Sequence, residues 1–212
     1  MFSSFLFIPL NKEKYIKKSE SLSNLDNRIF DLEDSILSID FNKALNNIYT
    51  VQLRKTDWIR LPKEKYNDHE IIQKLKEIGI NNFVIPKFEG FDEFKSIYTE
   101  LTKIYKEPRM ILLIENSNSY IDLEMILKEY NQNIHGVSLG IHDFCFNTGI
   151  YNDYKILKDI RLNIMLLANS YSVVPIDVTS IYLTDERKLV EEIIDGFNIG
   201  YRAKLLIHPN PS

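Results

Sequence analysis

The sequence predicts an α/β fold, a (β/α)8 TIM barrel, and three observations carry that expectation. Short apolar runs alternate with longer amphipathic stretches along the whole 212-residue chain. Eight such runs with seven helical stretches between them match a barrel ending soon after strand eight. Polar and charged residues gather just after the apolar runs, at what would be the C-terminal rim of a parallel barrel. A doubly wound open sheet shows the same alternation, so the pattern alone leaves the two architectures in competition.

Strands are predicted over residues 5–10, 28–32, 49–53, 82–86, 110–114, 136–140, 174–178 and 204–208. Each is rich in Ile, Leu, Val or Phe with little polar alternation, as in a parallel strand covered on both faces. Helices are predicted over residues 12–21, 41–46, 69–78, 91–105, 121–130, 154–171 and 185–197. In the fourth, Phe91, Phe94, Ile97, Tyr98 and Leu101 recur at three-to-four spacing and define one buried face. No linker, repeat or low-complexity tract interrupts the series, so residues 1–212 read as a single TIM-barrel domain.

Composition narrows the classes. Hydrophobic residues make up 44% and charged residues 26%, ordinary globular usage. The net charge is −4, and without a basic block a nucleic-acid partner is not expected. Cys145 is the single cysteine, which excludes an intrachain disulfide. Residues 1–10 are apolar, but they lack a basic leader and are broken by Pro9, so they read as a buried strand. No apolar run approaches the roughly 18 residues of a membrane span, and a cytoplasmic protein without a membrane partner is expected.

The rim positions carry the chemistry. Strand two ends in Asp31-Leu32-Glu33-Asp34, strand three in Gln52-Leu53-Arg54-Lys55, and strand four in Pro86-Lys87-Phe88-Glu89. Strand five ends in Glu115-Asn116, strand six leads into Gly140-Ile141-His142-Asp143, and strand eight into His208-Pro209. Carboxylates from adjacent strands suit a hard cation, because Mg²⁺ keeps several waters and needs few protein oxygens. Glu115 and Asp143 are the pair best placed for that role. Equally, each could cap a following helix or pair with a nearby base, and spacing alone leaves both readings open. Lys87 could hold an anion or pair with Glu115 or Glu89. His142 could touch substrate, and His208 could make a strand-end hydrogen bond. His69 and His135 read as solvated, and Cys145 and Trp58 as packing.

At these residues the chain resembles the HpcH/HpaI aldolase and citrate lyase β-subunit-like family. Leu6-Phe7-Ile8-Pro9 followed by Phe30-Asp31-Leu32-Glu33-Asp34-Ser35 is similar to the family's opening. Val84-Ile85-Pro86-Lys87-Phe88-Glu89, Leu113-Ile114-Glu115-Asn116 and Leu139-Gly140-Ile141-His142-Asp143-Phe144 follow in the family's order. Pro175-Ile176-Asp177 and Ile207-His208-Pro209 match the last two strands.

The resemblance implies a lyase or aldolase acting on a small 2-oxo acid or its acyl conjugate through a metal-stabilised enolate. It implies Mg²⁺, with Mn²⁺ as a substitute, on Glu115 and Asp143, and catalytic or proton-transfer roles for Glu33 and Asp34. An arginine is expected to contact substrate oxygen. The gapless match places Gln52 at that position, with Arg54 one pleat further on, so both join Lys87, Gly140 and His142 as substrate-binding candidates.

Longer relatives continue with a final helix and a lid, often lent to a neighbouring subunit, that this chain is expected to lack. A homo-oligomer and coenzyme A binding are therefore left open. The competing function is a non-catalytic barrel kept as a binding or assembly subunit, motivated by Gln52 and the missing lid. A phosphoryl-transfer barrel is disfavoured, because neither residues 180–185 nor 210–212 form a Gly-rich phosphate loop.

Overall fold

A computed structural model describes residues 2–22, 25–153, 155–180, 182 and 185–207. Eight strands form: β1 (Ser3–Pro9), β2 (Asn27–Asp31), β3 (Trp58–Arg60), β4 (Asn82–Ile85), β5 (Arg109–Ile114), β6 (Ile134–Leu139), β7 (Val174–Asp177) and β8 (Ala203–Leu206). All pair in parallel in sequence order, and β1 closes the ring against β8 with Phe5 opposite Leu205. Closure settles the architecture as a TIM barrel rather than an open sheet.

Period-two alternation sorts the strand side chains into two cores. Phe5, Phe7, Ile29, Trp58, Val84, Ile111, Leu113, Ile176, Ala203 and Leu205 point inward and fill the barrel. Their neighbours Leu6, Ile8, Phe30, Ile59, Phe83, Leu112 and Val137 point outward under the helices. Both sets are buried, which is why the strands read as continuous apolar runs.

The helices are α1 (Glu13–Ser21), α2 (Phe41–Asn46), α3 (His69–Glu77), α4 (Phe91–Thr102), α5 (Ser117–Ile121), α6 (Leu123–Tyr130), α7 (Ile141–Thr148), α8 (Lys158–Ser170) and α9 (Glu186–Ile199). Short polar side chains start several of them. Asp68 accepts from Ile71 N at 3.2 Å ahead of α3, and Asp185 accepts from Lys188 N at 3.2 Å ahead of α9. Among the described residues no helix is long and apolar enough to cross a membrane.

Three expectations need correction. Strand three is not residues 49–53; Asn47–Thr50 is a 3-10 turn extending α2, and the strand is Trp58–Arg60. Residues 121–130 belong to two helices that break at Asp122, the residue whose carboxylate accepts from Phe91 N at 2.8 Å. Residues 141–148, placed in none of the predicted strands or helices, form α7. Strand eight is described only to Leu206, and His208 and Pro209 lie outside the described residues.

Between the barrel wall and its outer helices lies a sealed polar cluster. Lys204 of β8 reaches Glu192 of α9 at 2.8 Å and Asp177 of β7 at 3.4 Å. Arg161 of α8 holds Asp177 and Asp195, each at 2.9 Å. A Cβ on Gly196 of α9 would collide with the Asp177 carboxylate, so glycine lets α9 approach this closely.

Candidate active site

The C-terminal ends of all the strands but β4 line a cavity of about 340 Å³. Phe7, Leu113 and Leu205 give it an apolar floor, and Asp31, Asp34, Arg60, Glu115, His142 and Asp143 its polar wall. That volume suits a ligand of a few heavy atoms.

Arg60, the last residue of β3, organises one side. Its Nε donates to Asp31 Oδ1 at 2.7 Å and its Nη1 to Asp34 Oδ2 at 3.0 Å. Glu33 Oε2 is 3.1 Å from Nη1, yet it accepts no aligned hydrogen bond although buried. The guanidinium lies 4.6 Å over the Phe7 ring, which fixes its plane. Burial opposes its charge, but Asp31, Glu33 and Asp34 outweigh that and hold the guanidinium more firmly protonated than usual. Among the described residues its Nη2 carries no hydrogen bond, so one arm of the fork is left for a ligand.

Lys87 follows β4 in a left-handed backbone conformation, φ 50°. That turn aims its N–H at Glu115 Oε2, 2.5 Å away. Its ammonium goes elsewhere, to Glu33 at 2.5 Å and Asp34 at 2.6 Å, and stands 3.9 Å from Asp143. Glu89 is 3.7 Å from Lys63 instead. Burial raises Glu33 to about 7, with Arg60 and Lys87 pulling against it. Burial also acts upward on Asp34, but there Arg60 and Lys87 win and hold the carboxyl below its ordinary range.

Glu115 follows the end of β5 and is 2% exposed. Its carboxyl is pushed up to about 8 by burial; Arg60 and the Lys87 N–H partly offset this, while Asp143 and Glu33 add to it. Gly140 permits the arrangement, because a Cβ there would stand 2.7 Å from Glu115 Oε1. The Gly140 N–H is taken by Ile114 O at 2.9 Å, so its contribution is space rather than a donor. Asp143 sits in the first turn of α7, and Asn147 of the same helix donates to Glu115 O at 2.9 Å. Neither carboxylate is used as a cap: Asn116 caps α5, and no side chain caps α7.

Glu33, Asp34, Lys87, Glu115, Gly140, His142 and Asp143 thus meet at one rim. His142 is exposed on the cavity edge, and its Nδ1 lies 2.9 Å from Asn152 Nδ2. Gln52 and Arg54 do not join them, which corrects their substrate-binding and catalytic assignment. They precede β3 at the opposite end of the barrel, where Gln52 O accepts from Arg28 at 2.7 Å and Arg54 N donates to Asp57 at 2.6 Å. With strand three moved to Trp58–Arg60, the strand-end guanidinium is Arg60, which the motif match overlooked; Asp31 was quoted there but given no role. A signal was available: Trp58-Ile59-Arg60-Leu61 is an apolar run ending, like strand two, in charge.

Five carboxylates, Asp31, Glu33, Asp34, Glu115 and Asp143, face two cations, Arg60 and Lys87. This surplus of buried negative charge fits a hard dication held by few protein oxygens. Among the described residues no three His, Cys, Asp or Glu side chains form a ready-made metal cage, so the rest of a coordination shell would come from water and ligand.

Fold and rim together define a TIM barrel with an acidic, arginine-bearing site at its C-terminal mouth. More narrowly, residues 3–209 match the HpcH/HpaI aldolase/citrate lyase family model, and the chain belongs to that family. Human mitochondrial citramalyl-CoA lyase is 23% identical over 228 residues, covering 97% of this chain and 67% of that protein. The citrate lyase β subunit from Mycobacterium tuberculosis, solved with oxaloacetate and magnesium, superposes with TM-score 0.82 at 20% identity, covering 98% of this chain and 92% of that one. RipC from Yersinia pestis superposes with TM-score 0.79 at 22% identity, covering 99% and 90%.

Proposed function

We propose that this protein is a Mg²⁺-dependent carbon–carbon lyase or aldolase acting on a small 2-oxo acid or its acyl conjugate. The observation that carries the reading is the uncompensated negative charge around the cavity, with Glu115 buried and committed to no cap or side-chain ion pair. The oxaloacetate and magnesium in the M. tuberculosis structure, and the thioester named for the human relative, support the same class of substrate.

In this reading Glu115 and Asp143 hold Mg²⁺, and Mn²⁺ substitutes. The bound cation would supply charge stabilisation at an oxygen that turns negative as the bond breaks. Arg60 offers Nη2 to a substrate oxygen while Asp31 fixes its plane, a geometry that lysine cannot reproduce. Glu33, poised near neutrality, can give or accept a proton at its carboxyl. Lys87 positions Glu115 through its N–H and balances Glu33 and Asp34 through its ammonium. The apolar floor keeps bulk water from the reacting bond. A non-catalytic subunit is the weaker reading, because one of its motives was a missing guanidinium and Arg60 stands at the rim.

Calorimetric titration with Mg²⁺ in the presence of oxaloacetate checks the assignment. Binding should weaken at least about 100-fold in Glu115→Gln and in Asp143→Asn, and turnover of the oxo acid should disappear with it. Metal binding of undiminished strength in both variants would sink the proposal.

A further inference from the structure

A second polar cavity, of about 380 Å³, opens at the base of the barrel, lined among others by Arg109, Asn131, Asn133, His135, Tyr171 and Ser172. Arg109 begins β5 and Glu115 follows its end, so roughly 20 Å of strand separates this cavity from the rim site. Arg109 Nη2 is 2.9 Å from His135 Nδ1. Since a guanidinium can only donate, Nδ1 accepts, and the imidazole is neutral with its proton on Nε2. Burial and then the Arg109 charge push His135 down to about 4, which keeps it in that form at neutral pH.

Trp58 packs against both, with its ring 5.4 Å from the guanidinium and 5.2 Å from the imidazole. Its Nε1–H is buried without a hydrogen-bond partner, on a residue only 1% exposed. The surrounding amides are largely used up: Asn131 Nδ2 donates to Tyr171 O at 3.4 Å, and Asn133 accepts from Tyr98 at 3.0 Å. Arg109 is exposed at the mouth of this cavity and, among the described residues, has no carboxylate partner. The cavity is therefore edged by the Arg109 guanidinium and the His135 imidazole, whose Nε2–H remains a donor.

We propose that this base cavity is a binding site for a small oxyanion, a carboxylate or phosphate, held by Arg109 and the Nε2–H of His135. The site is separate from the rim chemistry and does not depend on it. Arg109 would link a ligand there to the aromatic plug, since its guanidinium stands 5.4 Å from the Trp58 ring, itself 6.0 Å from Phe5.

Because the chain has one tryptophan, the plug reports its own occupancy. Inorganic phosphate and, separately, acetate are titrated against the full chain while Trp58 emission is followed, with chloride at matched ionic strength as the blank. A saturable change is expected with at least one of the two probes, equally in the wild type and in Glu115→Gln. Affinity should fall about tenfold or more in Arg109→Gln and less in Arg109→Lys, which keeps the charge. The effective oxyanion should also raise the urea midpoint of the wild type but not of Arg109→Gln, since a ligand bound only to the folded state stabilises it. A response no different from chloride, one untouched in both Arg109 variants, or one lost in Glu115→Gln would each overturn the proposal, the last by placing the anion at the rim.

Discussion

At the rim, Arg60 and Lys87 face five carboxylates around an open cavity; in the wall, Arg161 and Lys204 contact Asp177, Glu192 and Asp195 directly. Both clusters are ion-pair networks on the same barrel, the wall mostly buried and the rim partly exposed. In the wall, hydrogen bonding is close to saturated: Lys204 adds Val178 O at 2.6 Å, and Ser180 donates to the second oxygen of Glu192 at 3.1 Å. At the rim it is not, for among the described residues Glu33 Oε2 lacks an aligned donor and Arg60 Nη2 is unused. A saturated cluster has nothing left to offer a ligand and serves to lock α8 and α9 onto β7 and β8. An unsaturated one carries a standing electrostatic cost that a ligand can relieve.

The sharpest way to break the contrast is to remove one charge from each cluster. Lys204→Met strands Glu192 in a dry interface and should lower unfolding free energy by about 3–5 kcal/mol, read from the urea midpoint. Glu115→Gln removes a repelling carboxylate and should leave the metal-free protein as stable as the wild type or more so. If both substitutions destabilise equally, the distinction fails.

A second test exploits pH. Glu115 is raised to about 8 when folded, against about 4.5 when exposed, so between those values the unfolded chain binds fewer protons than the folded one. Stability of the metal-free protein should therefore fall as pH rises from 4.5 to 8, by about 1.4 kcal/mol per pH unit at most for one such group. Glu33, raised to about 7, adds to the same slope. Melting temperatures measured across that range should drop steeply without Mg²⁺, less steeply with it, and less steeply in Glu115→Gln. No flattening in the Gln variant would relocate the titration.

The smallest expected effect separates two guanidinium groups. Arg54→Ala and Gln52→Ala should change stability by no more than about 0.5 kcal/mol and leave turnover intact. Arg60→Lys should cost about 10²–10³ in kcat while the barrel still folds. Kinetics on the three variants would decide which end of β3 carries the site.

How far the sequence showed all this depended on what each residue faces. Seven strands were legible because two-sided burial leaves few polar interruptions in their runs. The eighth misled: Val51-Gln52-Leu53 alternates like a strand, whereas β3 is three residues long and ends in an arginine that only the barrel interior can accommodate. Helix α7 was hidden behind Gly140, which looked like a loop residue but admits the Glu115 side chain. Glu115 and Asp143 stood out as candidates because rim carboxylates are exceptions to apolar runs. The wall cluster was missed even though Asp177 and Lys204 are just such exceptions; what spacing lacked was their partners on α8 and α9.

Lys87 brings one last consequence. Its left-handed turn ties a monovalent cation permanently to the acidic rim, 3.9 Å from Asp143. Sodium or potassium arriving there brings no more charge than the tethered ammonium already provides. Under the proposed function a doubly charged ion would, so the tethered ammonium should bias the rim toward Mg²⁺ over sodium or potassium.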